Sequence, residues 1–272
     1  QNSSIFKISG ISLVSKIKLL NIFMYYLKKK YFKSIFLFHK YISKTTRPLK
    51  GFYGILLNPS YDDKTFEYCF KGTYGVQLSD LITEITEPTM FLDIGSNQGL
   101  YSVLAGKNIA IDPIFSFEPN PKVAALLLKN ATVNQMSNHQ IIEAAISEKT
   151  GAMVLHTFDY HSGKGTLREL EEEGNKPLTS KKIKTINHKE LNEYIPAEKK
   201  NVIKIDVEGQ EEVVISELIQ CDFLKNTQWI FCEIDEKWIN PQKIIEQLKV
   251  AGFSHFERMS NHPSHYDLLI RR

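Results

Sequence analysis

Cysteine is scarce in this 272-residue sequence, which contains only Cys69, Cys221 and Cys232. The three positions are far apart and no CxxC pair occurs among them. This usage argues against a disulfide-stabilised secreted scaffold and against a zinc site built from cysteine pairs. It is typical of a protein in a reducing compartment, so we expect a cytoplasmic location.

Long apolar runs are also missing. The longest uncharged run in the first 50 residues is 19–27, which has nine residues, whereas a helix that crosses a bilayer needs about 20. Lysines interrupt the same region and no small-residue cleavage site is evident. The sequence therefore predicts neither a membrane-spanning helix nor a signal peptide.

Acidic residues are absent from residues 1–61, although residues 1–50 contain eleven lysines and arginines. Subtracting these eleven from the 34 basic residues of the chain leaves 23 beyond residue 50, where all 31 acidic residues lie. The formal charge of this larger part is therefore −8. A basic arm, residues 1–50, precedes an acidic body.

Apolar residues in the arm recur at spacings of three and four, the period of an amphipathic helix. We expect one or two helices whose stripe packs on the body or on a second copy of the chain, or adsorbs peripherally to the inner face of an anionic membrane. Nucleic-acid binding is disfavoured because no recognition motif accompanies the charge. The stripe consists of Leu13, Ile17, Leu20, Met24, Leu27, Tyr31, Ile35, Phe38 and Ile42.

Residues 51–88 form a lead-in segment, for which glycines and short apolar runs predict short strands and turns and then a helix near 76–85. From residue 89 to residue 272, strand and helix patterns alternate, which is typical of an α/β domain with a mostly parallel sheet. The predicted strands are 90–93, 114–118, 140–145, 202–206, 229–233, 255–259 and 266–271. The predicted helices lie near 99–107, 121–134, 210–219 and 241–251.

The last two predicted strands are joined by only six residues, "SNHPSH". Parallel neighbours need a longer crossover, so this pair must be antiparallel, and we expect seven strands with an antiparallel strand at one edge. An insertion at 151–200 combines a strand at 152–158, a glycine-rich loop "HSGKGT", an acidic-then-basic mobile stretch and a helix that begins near Asn187.

Open parallel sheets bind ligands at the carboxyl ends of their strands. The first strand ends at Asp93 and continues as "IGSNQG", and the second places Glu118 19 residues beyond Gly99. That is about where a doubly wound fold has the carboxylate that binds ribose hydroxyls. The third strand ends "EAAIS", where Ala145 would provide an apolar slot for a flat ring.

Asp93 and Glu118 are two acids at neighbouring strand ends, and no phosphate-binding motif accompanies them. This combination favours a ligand that has a ribose and a cationic group. Asp93 would repel a pyrophosphate, whereas S-adenosylmethionine combines adenosine with a sulfonium and an amino acid. The pattern therefore favours methyl transfer over a nicotinamide-linked oxidoreductase. A membrane-associated binding protein without catalysis is the remaining alternative.

The sequence resembles the FkbM family of S-adenosylmethionine-dependent methyltransferases over about residues 90–215. The usual family form of the first motif is closer to DIGANxGYYS, so Ser96 and the stretch 98–100 depart slightly from it. Residues 1–50 lie outside the resemblance. The matching segments are "FLDIGSNQGLYS", "FSFEPNP", "NHQIIEAAISEKTGAMVLHTF", "HSGKGTL" and above all "VIKIDVEGQEEVV".

The resemblance implies a Rossmann-like class I methyltransferase fold and specific site residues. Asp206 and Glu208 map to the acidic motif beside the transferred methyl group, where a carboxylate takes or orients the proton of the acceptor hydroxyl. The implied cofactor-binding residues are Asp93, Gly95, Ser96, Asn97, Gly99, Glu118, Asn120 and Ala145. Simpler roles remain open: the glycines serve only the turn, Glu118 caps the next helix, and Asp206 and Glu208 pair with Lys204.

The implied acceptor is a hydroxyl of a glycan or lipid-linked saccharide, with a protein, peptide or small natural product as the alternative. Asp206, Glu208 and Glu233 have ligand oxygens suited to a divalent metal, but no dedicated spacing accompanies them, so no metal is predicted. His262 and His265 lie in a polar loop and are expected to face solvent.

Overall fold

The computed structural model describes residues 13–169 and 178–272. Expectations for residues 1–12 of the arm and for the acidic stretch at 170–177 lie outside the described residues. In chain order the elements are α1 (Leu13–Phe38), β1 (Leu49–Lys50), β2 (Leu56–Leu57), α2 (Lys64–Lys71), α3 (Val76–Thr83), β3 (Thr89–Ile94), α4 (Leu100–Ala105), β4 (Ile111–Phe117), α5 (Pro121–Val133), β5 (His139–Ile142), β6 (Ala145–Ile146), β7 (Gly151–Phe158), β8 (His161–Thr166), β9 (Leu178–Ile186), α6 (His188–Tyr194), β10 (Asn201–Ile205), α7 (Glu211–Ile219), β11 (Thr227–Asp235), α8 (Pro241–Val250), β12 (His255–Arg258) and β13 (His265–Arg271).

Seven strands form the central sheet in the order β12-β13-β11-β10-β3-β4-β5. From β5 to β11 the neighbours run parallel, and β13 runs antiparallel to both β11 and β12. The mostly parallel seven-stranded sheet predicted from the sequence is therefore confirmed. The antiparallel strand itself lies one place in from the edge, because the buried run Leu268–Ile270 needs neighbours on both sides, whereas the more exposed β12 suits an edge.

The central strand β3 is buried on both faces, and its side chains alternate between two apolar clusters. Met90, Leu92 and Ile94 belong to the cluster that contains side chains of α7 and α8. Phe91 belongs to the cluster on the other face, with side chains of α1 to α4. Asp93 therefore points to the same face as Phe91, beneath α4.

The insertion builds a second sheet in the order β6-β9-β7-β8. The prediction of a glycine-rich loop at "HSGKGT" was wrong, because this segment is strand β8; the basic part of the expected mobile stretch is β9. Gly163 allows β8 to lie against α2: a Cβ there would be 3.1 Å from Thr65 Oγ1, to which the Gly163 N–H donates. The predicted helix near Asn187 is confirmed as α6, which begins with a capping box of Asn187 and Glu190.

The third predicted strand, 140–145, is shorter than expected. It ends at Ile142, and the next two strand residues, Ala145 and Ile146, pair with β9 in the second sheet instead. The chain changes sheets at this point, which places Ala145 between the two sheets.

The described part of the arm, residues 13–50, contains α1, a π-helical turn at His39–Ser43 and the short strand β1. Phe36 is 1% exposed, and its ring centroid lies 6.0 Å from those of Phe66 and Phe70 on α2. Among the described side chains of the expected stripe, Ile35 packs on the body and the other seven are exposed. The helix packs on the body through aromatic side chains beside the stripe, Phe32 and Phe36, because these contact the aromatic rings of α2. Within residues 13–169 and 178–272, no helix is long and apolar enough to cross a membrane.

The loops that follow β3 and β10 touch at Gly95. This residue has a φ of 76°, and a Cβ on it would lie 1.8 Å from the carbonyl oxygen of Asp206. The Asp206 N–H in turn donates to the Ile94 carbonyl at 3.1 Å. Only glycine fits this contact, which holds the ends of the two central strands together.

Replacing Gly95 with alanine is therefore expected to lower the free energy of unfolding by more than about 3 kcal/mol, because a backbone clash adds to the strained dihedral. Gly151→Ala is the matched control: its φ is 128°, but nothing lies within 4 Å of the added Cβ. We expect the control to cost about 1 kcal/mol, from strain alone. Urea unfolding of both variants measures the difference, and equal losses would refute the close contact.

Candidate active site

A cavity of about 1000 Å³ lies at the carboxyl ends of the central strands, with β8 and α2 contributing to its wall. The loops after β3, β4, β10 and β11 all reach it, as expected for an open parallel sheet. Eight of the ten predicted site residues line the cavity: Gly95, Ser96, Asn97, Glu118, Asn120, Ala145, Asp206 and Glu208.

Asp93 and Gly99 do not line the cavity. Asp93 is fully buried, and its carboxylate accepts hydrogen bonds from the Ser102 N–H at 3.1 Å and the Ser102 hydroxyl at 2.5 Å. A Cβ on Gly99 would lie 2.1 Å from Leu127 Cδ1, so this glycine serves the packing of α5 against the loop. The structure thus gives Asp93 a supporting position behind the cavity wall, and the repulsion of a phosphate cannot come from direct contact with it.

Glu118 joins the glycine loop, residues 95–99 after β3, to the loop after β4. One carboxylate oxygen accepts from the Asn97 N–H at 3.0 Å, and the other accepts from the Asn120 N–H at 2.8 Å. Burial raises the pKa of Glu118 to about 7, against the opposing effect of the two backbone donors. Asn120, and not Glu118, caps α5, because its side chain accepts from the Lys122 N–H.

The insertion is fastened to the glycine loop by a network that the sequence did not reveal. The Ser162 hydroxyl donates to Asn97 Oδ1 at 2.9 Å, and the Ser162 N–H donates to Asp63 Oδ1 at 3.1 Å. Gln98 Nε2 completes it by donating to Asp63 Oδ2 at 2.7 Å. The "HSGKGTL" segment was part of the family resemblance, but no motif in the sequence indicated that Asp63 would contribute to this network.

A buried lysine organises the acidic end of the cavity. Lys204 Nζ donates to the Gly95 carbonyl at 2.6 Å and lies 3.4 Å from Asp93 Oδ1 and 3.5 Å from Asp206 Oδ2. Burial opposes the charge of Lys204, but Asp206 and Asp93 outweigh it and raise the lysine pKa. Tyr74, which sequence reasoning missed, donates its hydroxyl to Asp206 Oδ2 at 2.8 Å. Asp206 is thus both paired with Lys204 and exposed to the cavity.

Three carboxylates meet at this end, because an oxygen from each of Asp206, Glu208 and Glu233 lies within 4.8 Å of the others. Burial would raise the pKa of Asp206, but Lys204 and hydrogen bonds from Glu233 and Tyr74 lower it overall. Burial and the neighbouring Asp206 raise the pKa of Glu208 to about 9 and that of Glu233 to about 8. At neutral pH Asp206 is therefore an anion and Glu208 keeps its proton, whereas Glu233 lies between Asp206, which raises its pKa, and His265, which lowers it. The absence of a metal stays a prediction.

His265 borders the same cluster. Its Nε2 lies 3.1 Å from Glu233 Oε1, and this hydrogen bond raises the pKa of His265 to about 9. His265 faces solvent as expected, since half of its side chain is exposed, and it also lines the cavity, because β13 begins beside β11. His262 remains in the exposed loop, where Nδ1 accepts from the His265 N–H.

Comparison with known proteins agrees with this geometry. The model of the methyltransferase FkbM domain matches residues 93–255, more than half of the chain. Among curated proteins, the hexuronic acid methyltransferase AglP of Haloferax volcanii is 27% identical over 175 residues, which cover 64% of this chain and 67% of AglP.

Solved structures with a similar fold include a complex with AdoMet and an rRNA methylase. M. jannaschii TYW2 in complex with AdoMet has 10% identity and a TM-score of 0.45, covering 80% of this chain and 81% of that one. An rRNA methylase from Streptococcus thermophilus has 9% identity and a TM-score of 0.44, covering 72% and 94%. Likenesses this low carry no weight of their own. The family match over residues 93–255 suffices, and this chain belongs to the FkbM family of methyltransferases.

Proposed function

We propose that this protein is an S-adenosylmethionine-dependent O-methyltransferase that methylates a hydroxyl group of a saccharide. The observation that carries the proposal is a cavity with two chemically different ends. One end combines a glycine loop, a buried carboxylate and an apolar slot. The other end combines three carboxyl groups, one of which, Asp206, is the anion. The relative AglP is a hexuronic acid methyltransferase, which supports a saccharide acceptor.

The residues at the first end fit the cofactor. Each carboxylate oxygen of Glu118 has one backbone donor and keeps capacity to accept from a ribose hydroxyl. Ala144, Ala145 and Ile146 line the cavity with apolar surface that suits adenine. When bound, S-adenosylmethionine supplies an activated methyl group on a cationic sulfur. Asp206, the anion of the cluster, favours that cation over a pyrophosphate.

The second end suits an acceptor hydroxyl. Asp206 is held in place by Lys204 and Tyr74, so its carboxylate is oriented before any acceptor arrives. In methyl transfer the bond from carbon to the acceptor oxygen forms, the bond to sulfur breaks, and the hydroxyl proton leaves. We assign that proton to Asp206, because its carboxylate is the anion of the cluster and lines the cavity. Glu208 is protonated at neutral pH and therefore positions the acceptor as a hydrogen-bond donor.

The two ends can be separated by substitution. We expect Glu118→Gln to weaken binding of S-adenosylhomocysteine about tenfold in calorimetry, because a neutral amide accepts ribose hydroxyls less strongly. Asp206→Asn should bind this product within a few-fold of the native affinity but lose about 100-fold in turnover. The assay follows radiolabelled methyl transfer from S-adenosylmethionine to glycans that contain uronic acids, with neutral glycans in parallel.

Glu208→Gln is the control for the proton-accepting role, because it should keep turnover within about fivefold of the native protein at pH 7. A loss as large as that of Asp206→Asn would move the role to Glu208. Cofactor binding without labelling of any glycan would reject the saccharide acceptor.

The raised pKa of Glu208 also predicts a pH-dependent stability. Its ordinary value of 4.5 applies to the unfolded chain, so between about pH 4.5 and pH 9 the unfolded state releases a proton that the folded state keeps. The folded state therefore loses stability as pH rises through this window. Glu208→Gln removes the effect, and we expect it to be about 2 kcal/mol more stable than the native protein at pH 8, with the gain shrinking toward pH 5.

Glu212→Gln is the matched control in urea unfolding. Burial opposes the charge of Glu212, but the Asn240 N–H and Lys243 hold its pKa below the ordinary value, so its removal should be destabilising at pH 8. Opposite signs for the two variants confirm the charge states. A Glu208→Gln variant that is no more stable than the native protein at pH 8 contradicts them.

A further inference from the structure

The helix α1 leaves a long apolar surface uncovered. Of the 19 exposed large apolar side chains in the described part of the chain, thirteen lie between Ile17 and Ile42. At 1.5 Å per residue the 26-residue helix is about 39 Å long. Soluble monomers rarely expose a continuous apolar surface of that length. We define the outer face of α1 by Leu20, Phe23, Met24, Leu27, Tyr31 and Phe38, each between 44% and 59% exposed.

The opposite face of α1 fixes the direction of the outer face. The ring of Phe32 lies 5.8 Å from that of Phe70, and the ring of Tyr25 lies 5.7 Å from that of Phe52. With Phe36 buried as well, aromatic contacts hold the helix along much of its length. The outer face cannot turn toward the body without breaking them.

Charge distinguishes between the possible occupants of this face. No carboxylate occurs in residues 1–61, whereas Lys18, Lys28, Lys29, Lys30 and Lys33 all lie on α1. Pairing two copies of α1 would bring together two basic helices that have no acid between them. An anionic lipid surface attracts these side chains instead, and the body, at −8, is repelled from it.

We propose that the outer face of α1 inserts into the headgroup region of an anionic lipid bilayer. The apolar side chains lie among the upper acyl chains, and lysine ammonium groups beside them bind lipid phosphates. The Nζ atoms of Lys28 and Lys29 lie 4.3 Å and 4.8 Å from the ring centroids of Phe52 and Tyr25, so these two lysines have to leave the rings to reach a phosphate. The acidic body faces away from the surface, so the charge asymmetry of the chain orients the molecule.

The helix α2 connects this surface to the cavity. Phe66 and Phe70 face α1, while Thr65, Tyr68 and Cys69 of the same helix line the cavity. The cavity is thus one helix away from the membrane-binding element. If the proposed function is correct, this arrangement favours acceptor saccharides held at the same bilayer.

Vesicle flotation tests the proposal with the full chain. We expect the native protein to float with phosphatidylcholine vesicles that contain about one third phosphatidylserine, and at least about tenfold less with phosphatidylcholine alone. The triple variant Leu20→Gln, Phe23→Gln, Leu27→Gln should lose about tenfold in binding to the anionic vesicles. Glutamine keeps helix propensity, and no residue of the inner face changes.

A matched triple variant removes apolar side chains that are at least as exposed but lie on the body. Ile109→Gln, Leu128→Gln and Val250→Gln should leave flotation unchanged. Calorimetry with S-adenosylhomocysteine is run on both triples, so a loss of flotation is separated from a loss of cofactor binding, and failure of either proposal leaves the other testable.

Three results would overturn the membrane proposal. The first is equal flotation with neutral and anionic vesicles, and the second is equal flotation of both triple variants. The third is a lipid-free dimer in sedimentation velocity that the outer-face variant abolishes while vesicle binding stays unchanged. That last outcome would assign the outer face to a second copy of the chain.

Discussion

The buried ion pair system of Lys204 is the constraint on which the rest of the site depends. A lysine that is 3% exposed keeps its charge only if carboxylates lie beside it, and here Asp93 of β3 and Asp206, which follows β10, do so. Register places Lys204 directly opposite Asp93 across β10 and β3. The same ammonium group donates to the Gly95 carbonyl. One side chain therefore holds together the ends of β3 and β10 and the loop that follows β3.

This arrangement decides which carboxylate is charged. Lys204 stabilises the Asp206 anion, and burial together with this anion raises the pKa of Glu208, which therefore keeps its proton at neutral pH. Similar side chains thereby acquire different roles through position alone. Under the proposed function, proton uptake belongs to Asp206 and hydrogen-bond donation belongs to the neutral Glu208.

Much of this could be predicted from the sequence, because strand alternation and strand-end residues are local signals. All seven central strands and the cavity positions of eight site residues follow from them. The buried orientation of Asp93 depends on the side-chain alternation of β3, and Tyr74 and Asp63 reach the site from a segment with no motif. The glycines of "HSGKGT" led to the wrong prediction of a loop, because close packing of a strand on α2 and a flexible loop both favour glycine. In the arm, periodicity identified the helix but not which face would find an aromatic partner.

The links from Ser162 and Gln98 to Asp63 make β8 a fixed wall and not a loose flap. Asp63, at the start of α2, and Gln98, in the glycine loop, are both in place in the folded chain. The entropy of ordering this segment is therefore lost once, during folding, and is not lost again each time a ligand arrives. An enzyme built this way meets its substrates with a preformed surface, and turnover need not wait for that surface to assemble.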